Sequence, residues 1–292
     1  MTRTGRDRHD SAKTRKQRGV REPRWRDKKV EREELIKFYG VNQCQAIFRY
    51  RRNEIRRVFV VQGLEDKFQE LLDWSERRGL QYKIVERDEL SKIAATEHHE
   101  GVCCEAKPLG LVPLSKFTAR LQEESTRCVL ILEAVENPHN VGAILRTAGF
   151  FGVSAVVLIS KQSRVLSGAA CRVSEGAAEF LPITVVREAD EVLASIKKSG
   201  FSIFATTPHQ ASSLYSIDWP EKVALIFGSE GIGISDKVLE AADKRIVIPR
   251  GGPIESLNVG VAAACVLGEA SRARSANNAP RQSRRTGRSR RC

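Results

Sequence analysis

Asn137-Pro138-His139-Asn140-Val141-Gly142-Ala143-Ile144-Leu145-Arg146-Thr147 follows closely on the apolar run Val129-Leu130-Ile131-Leu132. A strand apolar on both faces belongs in a sheet covered on both sides and mostly parallel. From Val141 the pattern turns helical, so polar residues gather where a strand ends and a helix begins. Open α/β sheets build their sites at such places. Two later segments repeat the arrangement. Phe227-Gly228-Ser229-Glu230-Gly231-Ile232-Gly233 closes the run Ala224–Phe227, and Ile248-Pro249-Arg250-Gly251-Gly252-Pro253-Ile254-Glu255-Ser256-Leu257-Asn258-Val259 follows the run from Ile246 and leads into a last helix.

Outward from these segments, strand and helix patterns alternate. Strands are predicted at Val129–Ala134, Ala155–Ile159, Ile183–Val186, Ser202–Thr206, Ala224–Phe227 and Ile246–Ile248. Helices are predicted at Val141–Phe151, Gly168–Ala178, Glu188–Lys198, Ser235–Ala242 and Leu257–Ser271. Upstream, a smaller α/β unit is predicted. It has a helix over Glu33–Arg49, a strand at Val58–Val61, a helix over Lys67–Arg78, a strand at Tyr82–Val85, a helix at Glu89–Ala95 and a strand at Gly101–Ala106. Pro108 and Pro113 mark the segment between the two units as a hinge. The expected division is a basic disordered tail over 1–32, a small α/β unit over 33–107, a linker over 108–125, a larger α/β unit over 126–272, and a second basic disordered tail over 273–292.

The chain has 292 residues, 41% of them hydrophobic, and a formal charge of +13. That charge is carried at the ends. Residues 1–30 hold 12 Lys/Arg against 4 Asp/Glu, residues 272–292 hold 8 Arg and no acid, and the stretch between is slightly acidic. Arg-rich ends poor in aliphatic residues do not build a core. They can neutralise phosphates, or simply keep the chain soluble. No stretch is apolar enough for a membrane span or a signal peptide, and Asp7, Asp10, Glu22 and Asp27 argue against a transit peptide. Seven scattered cysteines without a Cys-x-x-Cys pair fit reduced thiols in a cytoplasm.

In their order and residues, the three strand-end segments resemble the signature motifs of the SpoU/TrmH family, knotted SPOUT-class RNA methyltransferases. Phe38-Tyr39-Gly40 with Ala46, and His98-His99-Glu100-Gly101-Val102, resemble the opening and closing of that family's substrate-binding domain. The resemblance implies an α/β fold with a C-terminal trefoil knot and a mostly parallel sheet, preceded by a small α/β substrate-binding domain. It implies a cytoplasmic homodimer that moves a methyl group from S-adenosylmethionine to a ribose 2′-hydroxyl of ribosomal or transfer RNA. By the same resemblance Asn140, Arg146, Glu230, Ser256 and Asn258 form the catalytic group, while Thr206, Gly228, Ile248 and Leu257 hold the cofactor. Arg250 and Gly260 stand where the family has Met and Ser. A catalytically idle RNA-binding or ribosome-assembly factor of the same fold is the alternative.

Methyl transfer to a hydroxyl needs an aligned donor and acceptor and a route for one proton. Arg146 suits either activation of the hydroxyl or a planar grip on a neighbouring phosphate. Read without the motifs, Asn140 is a helix cap and Arg146 a solvated residue. The glycines at 228, 231 and 233 suit a tight loop passing close to a ligand or another strand. A bulky substitution at Gly228 is expected to enter cofactor space. Ser256 is placed to cap the last helix. Arg49, Arg51 and Arg52 around Tyr50 suit contact with phosphate and a stacked base, or a solvated turn. His98-His99 with Cys103-Cys104 invite a metal, but neighbours on an extended strand point to opposite faces, so no metal site is expected.

Overall fold

The computed structural model describes residues 34–162 and 165–278; the expected tail over 1–32 and the part of the second tail beyond 278 lie outside the described residues, while 273–278, expected to be disordered, continue the last helix. The described residues open with strand β1 (Ile36–Tyr39), helix α1 (Val41–Arg51), β2 (Ile55–Val61), α2 (Gln69–Arg77), β3 (Gln81–Val85), α3 (Arg87–Ala94) and β4 (Val102–Ala106). These strands form a mixed sheet in the order β1-β4-β2-β3. The first helix predicted from Glu33 is therefore two elements. Leu35 and Phe38 fit a helical spacing, but Ile36–Tyr39 pairs antiparallel with β4, Phe38 opposite Cys104. Gly40, at φ 93°, turns the chain into a helix that begins only at Val41. Local periodicity could not decide this; the partner strand did.

His99 is fully buried beneath this sheet. Its Nδ1 accepts from the Gly101 amide at 3.0 Å and its Nε2 lies 3.0 Å from Ser91 Oγ. An Nδ1 that accepts leaves the proton on Nε2, which donates to Ser91. Burial, helped by Arg87, lowers the ring's pKa and favours this neutral form.

The segment read as a linker carries a helix, α4 (Leu114–Arg120), whose Phe117 and the following Leu121 are fully buried. The Val112 amide donates to the Ile183 carbonyl at 2.7 Å, so this stretch belongs to the larger lobe. There follow β5 (Cys128–Glu133), α5 (Pro138–Phe150), β6 (Ala155–Ile159), α6 (Gly168–Val173), β7 (Ile183–Val186), α7 (Asp190–Lys198), β8 (Ser202–Thr206), the short β9 (Ser212–Ser213), β10 (Val223–Gly228), α8 (Asp236–Ala241), β11 (Lys244–Val247) and α9 (Val259–Asn278). The last helix runs past the predicted end at Ser271 because Ala273 still packs inward.

Seven strands lie in the order β7-β6-β5-β10-β8-β11-β9, every recorded pair parallel. Alternation along β5 shows why. Cys128, Leu130 and Leu132 pack with Ile144 and Leu145 of α5 and Val266 and Leu267 of α9. Val129 and Ile131 pack on the other face with Phe117, Val192, Ile196 and Val238. Both faces are covered, so the strand is apolar throughout. The core on the α5 side also takes in Phe38, Cys44 and Ile47 of the small lobe. The two lobes thus pack as neighbours through α1, β1 and α6, without an open hinge. Chain order along the sheet switches direction around β5, β10 and β8, and their carboxyl ends form the crevice where such sheets bind ligands.

Gly142 sets how closely α5 approaches α6. A methyl there would stand 2.5 Å from the Ala170 carbonyl oxygen and 2.6 Å from Val173 Cβ. Replacing glycine by alanine gains about 1 kcal/mol of helix propensity, whereas forced overpacking costs about 1–3 kcal/mol. Gly142→Ala is therefore expected to destabilise the protein, as a lower midpoint in urea unfolding. An equal or higher midpoint would show that α5 can move away freely.

Candidate active site

Three strand ends build the site. After β5 the Asn137 side chain caps α5, its Oδ1 accepting from the His139 amide at 2.9 Å, with Pro138 in the first helical position. Asn140 thus sits within the first turn and is not the cap. After β10 a loop closes on itself through the Gly233 amide and Ser229 carbonyl at 2.9 Å, with Gly231 at φ 92° and Gly233 at φ 77°. Backbone geometry of that kind favours glycine. Ser235 then fastens the loop to the end of β5, donating from its amide and Oγ to Glu133 at 3.0 and 2.6 Å.

After β11, residues 248–258 take no regular form, and Asn258 starts the last helix. Its Oδ1 accepts from the amides of Gly260 and Val261 at 2.9 and 3.3 Å, making Asn258 the cap in place of Ser256. Helical geometry begins two residues later than the sequence pattern suggests, which leaves Ser256 exposed and without a side-chain hydrogen bond among the described residues.

The cap's other half makes the joint. Nδ2 of Asn258 donates to Asn140 Oδ1 at 2.9 Å and to Glu230 Oε1 at 2.7 Å. Glu230 Oε1 also accepts from the Val259 amide at 3.2 Å, where the positive end of a 20-residue helix favours a carboxylate. One amide side chain therefore uses its oxygen on its own helix and its nitrogen on both other segments. Arg146 stands six residues further along α5, its side chain 65% exposed, with Nη1 3.9 Å from Glu175 Oε1. The fold brings Asn140, Glu230 and Asn258 into contact, and leaves Arg146 and Ser256 outside that hydrogen-bonded group.

Of the expected cofactor positions, three lie on neighbouring strand ends. Gly228 closes β10, Thr206 closes β8 opposite Ile246, and Ile248 follows β11. Thr206 Oγ1 donates to the Ile226 carbonyl at 2.9 Å, fastening β8 to β10. Leu257 is half exposed at the far end of the irregular loop. A Cβ on Gly228 would fall on the backbone of Gly233 and Ile234. A bulky residue there would break the loop closure before it entered any ligand space, which corrects the sequence expectation.

On the small lobe, Arg49, Arg52 and Lys67 line a cavity of about 450 Å³ with Phe48 and Phe68. Arg51 does not join them. It pairs with the wholly buried side chain of Glu179, donates to the Lys107 carbonyl at 2.7 Å, and lies 4.7 Å over the Phe38 ring. Its position on α1 turns it towards the larger lobe, so it is a packing residue and not a phosphate contact. Sequence reading missed Glu133, Glu175 and Glu179, all of them ordinary surface acids by pattern; Asn137-Pro138 carried a legible cap signal.

Residues 127–268 match the SpoU rRNA methylase family, and residues 38–111 match the substrate-binding domain of RNA 2′-O ribose methyltransferases. The chain belongs to the SpoU family. An uncharacterized tRNA/rRNA methyltransferase of Escherichia coli O157:H7, YfiF, is 34% identical over 82% of this chain and 68% of its own length. The 23S rRNA (guanosine-2′-O-)-methyltransferase RlmB of Pasteurella multocida is 32% identical over 81% of this chain and 97% of its own. In structure, the SpoU methyltransferase AviRb of Streptomyces viridochromogenes, solved with AdoMet, shares the fold with a TM-score of 0.70 at 20% identity, covering 82% of this chain and 91% of that one.

Since Asn258 is both cap and bridge in this SpoU chain, its replacement has two readable effects. Asn258→Ala is expected to cost about 1 kcal/mol of stability and to depress activity. Glu230→Gln keeps the shape and should depress activity with a smaller change in unfolding midpoint. Equal activity in both variants and wild type would show that the triad of contacts is only a strut.

Proposed function

We propose that the protein transfers the methyl group of S-adenosylmethionine to a ribose 2′-hydroxyl of RNA, with ribosomal RNA the favoured substrate. The observation that carries this reading is the Asn258 amide joining Asn140 and Glu230 at the sheet's switch point. Family membership and the RlmB-type relatives point the same way.

The strand-end loop fits an adenosine. Among the described residues, none from Ile248 to Leu257 makes a backbone–backbone hydrogen bond outside the strand ladders, so donors and acceptors there are available to a ligand's ring edge and ribose. Thr206, Gly228, Ile248 and Leu257 would hold the cofactor, whose sulfonium supplies an electrophilic methyl and leaves as a neutral thioether. A guanidinium is a poor base, and the planar fork of Arg146 suits a grip on a phosphate beside the reacting ribose that steadies the developing oxyanion. Asn140 has its Nδ2 without a partner among the described residues and is placed to orient the hydroxyl. Glu230 Oε2, likewise unpartnered among them, is the carboxylate oxygen available for the proton. Ser256, in the exposed loop, completes the group once substrate orders it.

Arg49, Arg52 and Lys67 suit the phosphates of an RNA strand around a cavity with an aromatic wall. Phe150 and Ile232 are 84% and 86% exposed, and Ile254 and Val261 are also open to solvent. Apolar side chains so exposed around α5 and the site loops fit a homodimer in which a second copy covers them. The contact of the Glu230 loop with the start of α9 fits the trefoil thread that the family resemblance implies. Among the described residues no helix is long and apolar enough to cross a membrane, and a cytoplasmic site of action follows from an RNA substrate of this kind.

Arg146→Ala is expected to abolish methyl incorporation into undermethylated RNA while cofactor binding by calorimetry and the unfolding midpoint stay near wild type. Arg49→Ala/Arg52→Ala should instead weaken RNA binding and flatten its salt dependence, by about one unit of slope for each phosphate the variant no longer neutralises. Wild-type turnover in Arg146→Ala would remove the assignment. Sedimentation at micromolar concentration should give twice the chain's mass; a monomer that still turns over would remove the dimer.

A further inference from the structure

Among the described residues, Glu175 touches both the small lobe and the arginine of the site. It sits after α6 at φ 53°, directly before Gly176 at φ 87°. A side chain in that left-handed region costs on the order of 1 kcal/mol, which glycine would avoid. The carboxylate is fully engaged. Oε2 accepts from Nδ2 of Asn42, on the small lobe's α1, at 2.5 Å. Oε1 accepts from Arg172 Nη1 at 2.7 Å, and Arg146 Nη1 lies 3.9 Å from the same oxygen. Arg172 in turn pairs with Glu100 of the small lobe and donates to the His98 carbonyl at 3.4 Å.

Packing fixes these partners. A Cβ at Gly176 would press on Ala46 and the Asn42 carbonyl, so α1 lies against this turn with no room to shift. Partial burial raises the Glu175 pKa, but the Asn42 amide and the Arg172 and Arg146 charges outweigh it and hold the carboxyl below its ordinary range. The carboxylate is thus charged throughout the neutral range. By contrast Arg146 is 65% exposed and has no second anion within ion-pair distance among the described residues. An exposed pair at this separation adds under about 1 kcal/mol to stability. Its consequence is orientation: a long side chain with many rotamers gains one preferred anchor.

We propose that Glu175 is a positioning residue that orients the Arg146 guanidinium and makes that orientation depend on docking of the small lobe through Asn42. This rests on the reading of Arg146 as part of the methyl-transfer site. With the substrate-binding lobe seated, Asn42 holds Glu175 and Glu175 holds Arg146. Displacing that lobe would remove the Asn42 bond, leave Glu175 to Arg172 alone and loosen its hold on the guanidinium. The chain would then methylate efficiently only with both lobes engaged.

Two measurements test this. Arg146 Nε–H order parameters, read by NMR on the RNA-free protein, should be high in wild type and fall below about 0.6 in Glu175→Gln and in Asn42→Ala. Single-turnover methylation of undermethylated total RNA should fall about tenfold in each variant, with cofactor affinity unchanged. The double variant should be no slower than either single one, because both act through one carboxylate. Unchanged Arg146 order, a wild-type rate in Glu175→Gln, or additive effects would each overturn the relay. Arg146→Ala in the same assay separates the two ideas. If it is inactive while Glu175→Gln is unimpaired, only the relay fails; if it is active, the reading beneath the relay fails with it.

Discussion

A parallel sheet buried on both faces constrains everything else in this protein. Up to Leu132 in β5 and Phe227 in β10, each residue must satisfy its backbone through neighbouring strands and its side chain through apolar contact. Polar chemistry has no place along such strands and is displaced to their ends. Parallel pairing puts all the carboxyl ends on one edge, so three segments far apart in sequence emerge side by side. The site is a consequence of that edge and of where the strand order switches direction.

At the edge, helix ends supply the organising force. The first amides of α5 and α9 have no partners within their helices and are met by Asn137 and Asn258. Capping fixes the Asn258 side chain by its oxygen, and the orientation of its nitrogen follows. A residue needed for stability is thereby aimed at Asn140 and Glu230. In the proposed site stability and function would share one amide, so substitutions at this position would not separate them cleanly.

The lobes are held together differently. Close approach at Gly168 and Gly176 brings backbone against backbone, and the Arg51–Glu179 and Arg172–Glu100 pairs fill the space beside it. Buried or half-buried charges of this kind are costly to desolvate and need complete hydrogen bonding. Arg51 obtains it from Glu179, Lys107 and the Phe38 ring. This explains why one arginine of a basic cluster faces inward while Arg49 and Arg52 stay in solvent. It also places Glu175, strained and charged, where the seam between lobes meets α5.

The sequence by itself determined the alternating α/β order, the two-faced burial of Val129–Leu132 and the family motifs, because these are local patterns of period, cap and turn. It also carried the identities of Asn140, Glu230 and Asn258 as polar residues at strand ends. Only the tertiary structure decided that Ile36–Tyr39 is a strand, that Phe117 and Leu121 bind the expected linker to the sheet, and that Asn258 and not Ser256 caps α9. It alone joined Asn258 to Asn140 across 118 residues, turned Arg51 inward, and filled the space beside Gly228 with the chain's own backbone. The physical reason is the same in each case. A periodicity fixes which face a residue presents, but which partner meets that face depends on the order of strands in the sheet, and β10 enters between β5 and β8 only in three dimensions.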